Sequence, residues 1–411
     1  MHRDAIVVRQ RQLEGPDAPL PSHALRLLVV DDLIPDPGLG FGYPRTFAVL
    51  SALRAAGFDV TYLPRHDASR REPCTSRLRL QGIDVVYASA GEALDFSEFV
   101  ASHRGEFAAV WISRRKNLED LLPAVRRLMP NVPLVYDAEC LTWRREILRR
   151  RAQGMPLSED EAADALHREI ELIRRADIVL AVSAVEREIL AAHGIDALVV
   201  GHSVVPPIEP RGFPGRAGIL FYAGFFRPAA FPEAVLTPNE DAFQSFARNV
   251  WPALHESLQC ELTVAGFNSE GLERSANGHP GRVRFVGRVP DPAIVFGAHR
   301  VFVAPTRFCA GIPLKVLESL ARGTPAIVSP PVAELLGGCD GAVLVGNGDS
   351  DFAEQVRRCY ADEGLWTEVR RRGREYVERL DAPGVAKESL RSLHDRLLRD
   401  SRVADARKGT R

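Results

Sequence analysis

Residues 307–329 read RFCAGIPLKVLESLARGTPAIVS, and the fold of the chain turns on this stretch. Just before it, residues 300–305 (RVFVAP) have the length and β-branched content of a buried strand. Gly311 sits shortly before Pro313. Proline at the first helical position, with no further proline until Pro325, is a helix-start signal. On the helix so predicted, Leu314, Leu317 and Ala321 share one face. Lys315, Glu318, Ser319 and Arg322 recur at i, i+3, i+4 and i+7 on the other, which is expected to be solvated. Gly323 closes the helix, and residues 324–329 (TPAIVS) read as the next strand. A strand, a small-residue loop and a helix start with unpaired backbone N–H groups make an anion site, because free donors and helix dipole both favour a phosphate. The same pattern also fits an ordinary βαβ unit with a solvated helix face. The rest of the chain has to choose between them.

At 411 residues the chain suits two domains of roughly 150–200 residues each. Its 45% hydrophobic and 26% charged content is that of an ordinary globular protein. The net charge of -1 gives no global pointer to nucleic acid or to an acidic membrane surface. Lysine occurs only at positions 116, 315, 387 and 408, so Lys315 stands out against an arginine background. A compact, rotatable ammonium suits a phosphate clamp. The six cysteines form no CxxC pair and have no histidine at metal-ligand spacing, which predicts reduced thiols and no metal site. Cys309 lies in the loop of interest, but no base is identifiable to make it a nucleophile. No signal-peptide pattern and no apolar run approaching about 18 residues are present, so a cytoplasmic location is expected.

From the N-terminus, a polar, proline-rich leader (1–23) is expected to be mobile. Residues 25–30 (LRLLVV) form an apolar run ending at Asp31 and Asp32, the pattern of a central parallel strand. The loop 33–43 (LIPDPGLGFGY) then leads into a predicted helix over 44–56. Strand, glycine loop and helix give a Rossmann-like opening. The spacing of Gly38, Gly40 and Gly42 does not fit G-x-G-x-x-G, and Asp67 is weak as a ribose carboxylate, so a dinucleotide site is not expected. The glycines suit a loop whose backbone approaches a substrate, or simply a tight connection. Strand patterns at 59–63, 83–88, 107–113, 132–136, 177–183 and 197–200 alternate with helical ones at 117–128, 138–151, 157–176 and 184–193, implying a parallel sheet covered on both faces. Proline and glycine crowd residues 201–218, the character of a linker. Strands at 219–223, 260–265 and 283–286 and a helix over 241–259 then restart the alternation. The predicted divisions are 24–205, a linker 206–217, 218–380, a helical segment 381–400 and a mobile tail 401–411. Two doubly wound domains would turn their carboxyl strand ends toward one cleft.

These segments carry a resemblance. GILFYAGF (218–225), PNEDAFQSF (238–246), VRFVGRV (283–289) and APTRFCAGIPLKVLESLARGTPAIVS (304–329) resemble the C-terminal, donor-binding domain of GT-B glycosyltransferases, most similar to family 4. LVVDDLIPDPGLGFGYPRT (28–46), YDAECLTWRRE (136–146) and ADIVLAVSAVERE (176–188) extend the likeness into the first half. The resemblance implies an α/β GT-B fold of two Rossmann-like domains facing a central cleft. It also implies a retaining, metal-independent transfer of a sugar from a nucleotide-diphosphate sugar to an acceptor that the sequence does not identify. Growing charge on the leaving diphosphate can be met by Arg, Lys and a helix N-terminus in place of a divalent ion. Arg227 and Lys315 are the candidates for that clamp. Glu318 matches the second glutamate of the family's Glu-x7-Glu motif, which binds ribose hydroxyls.

The first glutamate of that motif would fall at position 310, where this chain has Ala310. Backbone N–H groups of Ala310, Gly311 and Ile312 are then left to hold the sugar. Alternatively the chain is a silent binding or partner protein, or a sugar-nucleotide epimerase on the same architecture. Asp137, Glu139 and His202 are candidates to position acceptor or sugar, with turn and cap roles as the plain alternative. Gly38, Gly40, Phe41 and Gly42 form the candidate acceptor loop. The basic run 144–151 would suit an anionic acceptor, a membrane surface or a solvated face. The last helix, over 386–398, would cross back to the first domain.

Overall fold

Continuous runs such as RLLVVDDL and AVWIS bury both faces of a strand, which only a parallel sheet covered by helices accommodates. The computed structural model describes residues 25–40, 42–88, 94–202, 210–227, 236–272, 282–380 and 385–408, with side chains over 386–399 in the last stretch. The first sheet contains β1 (Arg26–Leu33), β2 (Asp59–Asp67), β3 (Asp84–Val85), β4 (Ala109–Ser113), β5 (Leu134–Asp137), β6 (Ile178–Ala181) and β7 (Ala197–Val199), in the order β3-β2-β1-β4-β5-β6-β7. The second contains β8 (Ile219–Tyr222), β9 (Leu262–Ala265), β10 (Val283–Gly287), β11 (Val301–Ala304), β12 (Ala326–Val328) and β13 (Leu344–Val345), in the order β10-β9-β8-β11-β12-β13. The pairings of these strands are parallel. The direction of winding reverses between β1 and β4 in one sheet and between β8 and β11 in the other, and ligands of open α/β sheets bind beyond the carboxyl ends at such points.

Each sheet carries an apolar cluster on either face. Val30, Ile112 and Tyr136 belong to one side of the first sheet, Val29, Trp111 and Val135 to the other. Phe221, Val264 and Val303, and opposite them Leu220, Phe302 and Val328, do the same in the second. Leu390, Leu393 and Leu397 of the helix Val385–Lys408 join the cluster that holds Leu53 and Phe58, with the His394 ring 5.0 Å from that of Phe58.

Several boundaries differ from the sequence pattern. The single helix expected over 241–259 is two, Pro238–Asn249 and Trp251–Leu258. Pro252 sits in the first turn of the second, where its missing N–H costs nothing and its ring stops the first helix from continuing. The helix expected from 138 begins at Thr142, because Ala138 and Leu141 turn into the core instead. The last helix runs on to Lys408, so 401–408 is helical where a tail was expected. Phe41, the leader 1–23 and linker residues 203–209 lie outside the described residues. Among the described residues no helix is long and apolar enough to cross a membrane.

Candidate functional site

The loop after β11 ends in Gly311 at φ 70°, and Pro313 caps the helix Leu314–Ala321. Lys315, in the first turn of that helix, places its Nζ 2.8 Å from Asn239 Oδ1. Asn239 in turn donates to the Gly224 carbonyl at 2.7 Å, so the loop after β8 and the loop after β11 are tied together through one amide. No carboxylate pairs with the Lys315 ammonium among the described residues. Burial pushes its pKa down to about 8, offset weakly by Cys309. Cys309 itself is pushed up to about 12 by burial and stays a neutral thiol, which removes the nucleophile reading.

Glu318, one turn on, accepts from Arg322 Nε at 2.9 Å. Burial and the Glu318 charge raise the Tyr222 hydroxyl to about 12. The face expected to be solvated is not uniformly so. Ser319 is fully buried and its hydroxyl donates to the Thr324 carbonyl at 2.7 Å, fastening the helix to the following turn. Arg227 pairs with Glu240 Oε2 at 2.7 Å. The same Glu240 completes the capping box that opens the helix Pro238–Asn249, so Arg227 is held on the rim by a helix cap. Ala310 is half-buried, and Ile312 packs against the apolar cluster beneath the helix.

On the opposite side, Asp36 caps the turn Pro37–Leu39 by accepting from Gly38 N at 2.8 Å. Gly40 and Gly42 have φ of 77° and 83°, a backbone only glycine adopts cheaply, and they bring the chain into the helix Tyr43–Ala55. Asp137, at the end of β5, is buried with both oxygens taken by Arg45, at 2.7 and 2.9 Å. Arg45 also donates to the Val200 carbonyl at 3.0 and 2.7 Å. Asp137 therefore fastens α-helix to sheet and is itself buried, at 2% exposure. His202 is pushed down to about 3 by burial and by Arg45, so it is a neutral imidazole at physiological pH.

Glu139 follows two residues after the end of β5 and turns its carboxylate toward Gly42 of the glycine loop. Its φ is 51°, its side chain is 9% exposed, and its Oε1 accepts from Thr46 Oγ1 at 3.2 Å. Arg114, itself at φ 74°, lies 2.9 Å from Glu139, 2.6 Å from Asp31 and 3.3 Å from Asp32, and its guanidinium lies over the Tyr43 ring. Burial outweighs the opposing pull of Arg114 and lifts Glu139 to about 8. Positive φ at a non-glycine residue is a stored cost that is concentrated at functional sites. Among the described residues no group of His, Cys, Asp and Glu is arranged to hold a metal ion.

The two sides meet. A Cβ on Gly224 would lie 2.2 Å from the Leu39 carbonyl oxygen, and one on Gly311 would lie 2.9 Å from that of Glu139. Arg288 pairs with Asp36 at 2.7 Å and lies flat against Gly38, 2.3 Å from where a Cβ would be. Arg144 of the basic helix Thr142–Ala152 pairs with Glu334 across the cleft, while Arg149 pairs with Glu146 on the same helix at 2.5 Å. That run is thus partly spent on internal pairs. Gly224→Ala is expected to wedge the loops apart by about 1 Å, since a methyl group needs roughly 3.4 Å or more from an oxygen. The fold and ligand affinity on the β8 side should survive, and any turnover that needs both sides should drop by about tenfold or more. Unchanged turnover would show that this contact is dispensable.

Sequence reasoning missed Arg45, Arg114, Asn239 and Arg288. Asn239 stands two residues after the helix cap Thr237, but nothing local marks its amide as the link between two loops.

Residues 230–362 match the family described as glycosyl transferases group 1. No curated protein sequence matches the chain significantly. Among solved structures, the sucrose-phosphate synthase from Thermosynechococcus elongatus superposes with a TM-score of 0.62 at 18% identity, covering 92% of this chain and 100% of that one. HepE from Anabaena, in complex with UDP and glucose, gives 0.61 at 13% identity over 90% and 100%. An α,α-trehalose-phosphate synthase (UDP-forming) from Burkholderia xenovorans, in complex with glucose-6-phosphate, gives 0.56 at 11% over 92% and 99%. The fold is that of the GT-B glycosyltransferases. With a group 1 domain spanning most of its second sheet, the protein is of the glycosyltransferase class.

Proposed function

We propose that the protein is a retaining glycosyltransferase of the family 4 type. It would move a sugar from a nucleotide-diphosphate sugar bound on the second sheet to a hydroxyl of an acceptor bound on the first, in the cytoplasm and without a bound metal. The observation that carries this reading is Lys315: a half-buried ammonium with a depressed pKa that meets the Asn239 amide oxygen and the face of the Phe221 ring but, among the described residues, no carboxylate. It stands in the first turn of the helix that follows the loop 307–313, in which the Gly311 N–H already meets the buried Glu186 carboxylate. A buried cation without a counter-ion is costly, and an anionic ligand removes that cost. The complexes of HepE with UDP and glucose and with UDP-glucose support a diphosphate as that ligand.

In this reading the diphosphate sits against the loop 310–312 and Lys315, and Glu318 accepts hydroxyl hydrogen bonds from the ribose. As the glycosidic bond to phosphate lengthens, negative charge grows on the leaving oxygen, and Lys315 with the loop N–H groups stabilises it more than it did the ground state. The departing phosphate oxygen takes the proton of the attacking hydroxyl, which then bonds to the anomeric carbon on the face that phosphate has left. Retention follows from that same-face geometry. Arg227, fastened to Glu240, contributes positive potential at the rim.

Glu318→Ala is expected to weaken nucleotide binding by about tenfold, the worth of one or two hydrogen bonds to a carboxylate, with melting temperature unchanged. Unaltered affinity would remove Glu318 from the site. The reading as a whole is tested by following thermal stabilisation and slow donor hydrolysis with a panel of nucleotide sugars. Binding without turnover, even with acceptors added, would favour the silent binding protein that Ala310 suggests. No binding of any nucleotide would defeat both.

A further inference from the structure

We infer that Glu139 is the residue that holds the transferred sugar, supplying from the first sheet's side of the cleft the carboxylate that the loop after β11 lacks. The inference rests on the transferase reading above. A sugar presents hydroxyl groups, and a site that orients it needs acceptors for their protons as well as donors for their oxygens. The loop over 308–313 is Phe-Cys-Ala-Gly-Ile-Pro. Its backbone can donate, but it contains no carboxylate, and Cys309 is a buried thiol held neutral.

Across the cleft, the candidates sort themselves by what they already hold. Asp137 gives both oxygens to Arg45, and Asp31 is fully buried against Arg114 and Thr46. Glu139 differs in two respects. Its main-chain oxygen lies 2.9 Å from the point a Cβ on Gly311 would occupy, and its carboxylate oxygens lie 3.2 and 3.3 Å from the corresponding point on Gly42. The main chain of the residue therefore meets the loop after β11 while its carboxylate faces the glycine loop, so its side chain is anchored beside the junction of the two sides. Thr46 and Arg114 each take one of its oxygens, which uses part of a carboxylate's roughly four acceptor sites. Arg114 and the helix Tyr43–Ala55 also fix its direction, a preorganisation that a side chain on a small-residue loop would lack. Its left-handed backbone is what turns the side chain away from the sheet and toward the glycine loop.

The test compares a nucleotide with its own sugar ester by calorimetry, using UDP with UDP-glucose and GDP with GDP-mannose, on wild type, Glu139→Ala and Glu139→Gln. The pair that wild type binds is the one read. Glu139→Ala should leave the nucleoside diphosphate within about twofold of wild type while weakening the sugar ester about tenfold or more. Donor hydrolysis should fall in parallel, and Glu139→Gln should recover most of the ester affinity. Equal weakening of nucleotide and ester would overturn the inference, since Glu139 would then only be holding the loops together. So would no change in either. Wild type binding neither member of any pair would instead defeat the transferase reading, and the inference with it.

Discussion

Lys315→Met should lower affinity for a nucleoside diphosphate by about 10- to 150-fold and turnover by at least as much, while leaving the protein folded. The size follows from losing a charge-assisted contact to phosphate, at about 1.5–3 kcal/mol, inside a cleft where water does little to replace it. The control is the direction of the stability change. The Lys315 pKa in the folded chain is about 8, below the roughly 10.4 of an unfolded lysine. The charged form is therefore disfavoured by folding, a cost fully present at neutral pH and relieved as pH rises through 8. Methionine removes that cost, so the unliganded variant should be as stable as wild type or more stable. Binding has the opposite sign. A diphosphate favours the ammonium, so wild-type affinity should fall as pH rises above about 8, by about tenfold per unit until the free and bound pKa values are both passed. The variant should not share that dependence. Titration calorimetry between pH 7 and 10 measures both, and a parallel pH profile in wild type and variant would take Lys315 out of the phosphate site.

Arg45→Ala has the second large effect, and it is on stability. It leaves the Asp137 carboxylate buried at the end of β5 with no counter-ion, and strips two hydrogen bonds from the Val200 carbonyl. Breaking a buried pair from one side costs about 3–5 kcal/mol. In a protein of this size that lowers the melting temperature by about 10 °C. Removing both charges, as Arg45→Met with Asp137→Leu, should recover a good part of the loss, because the penalty is the orphaned carboxylate more than the missing attraction. A single variant that melts with wild type would mean the pair is hydrated. If the double variant also keeps its nucleotide-sugar affinity, Asp137 is a fastening for the helix after the glycine loop and not a group that meets substrate.

The same residues show how far the chain could be read. The alternation of apolar runs with helical periods made two parallel sheets legible, since a strand buried on both faces cannot hide its composition. Lys315 and Glu318 were legible too: they sit at i and i+3 on one short helix, and that spacing alone puts them on one side of it. Pro313 and Gly311 marked where that helix begins. The ion pair of Asp137 was not legible, for a physical reason. A carboxylate at a strand's carboxyl end looks the same in sequence whether it faces a ligand or a guanidinium 92 residues away, and Arg45 reads as one more polar position in a helix. Ser319 misled in the same way, because its hydroxyl is satisfied by a turn carbonyl and so tolerates burial.

Local pattern therefore established the class of fold, the helix after β11 and the glycine loop, each a matter of residues within a few positions of one another. What it left open were the meetings between loops: Gly224 against Leu39, Asn239 between Lys315 and Gly224, and Glu139 between Gly42 and Gly311. Those depend on the order of strands in each sheet, with β1 beside β4 and β8 beside β11, and on how the two sheets' carboxyl edges face. Strand order is chosen by the packing of whole faces, an energy summed over residues far apart in the chain, so no short stretch of sequence carries it.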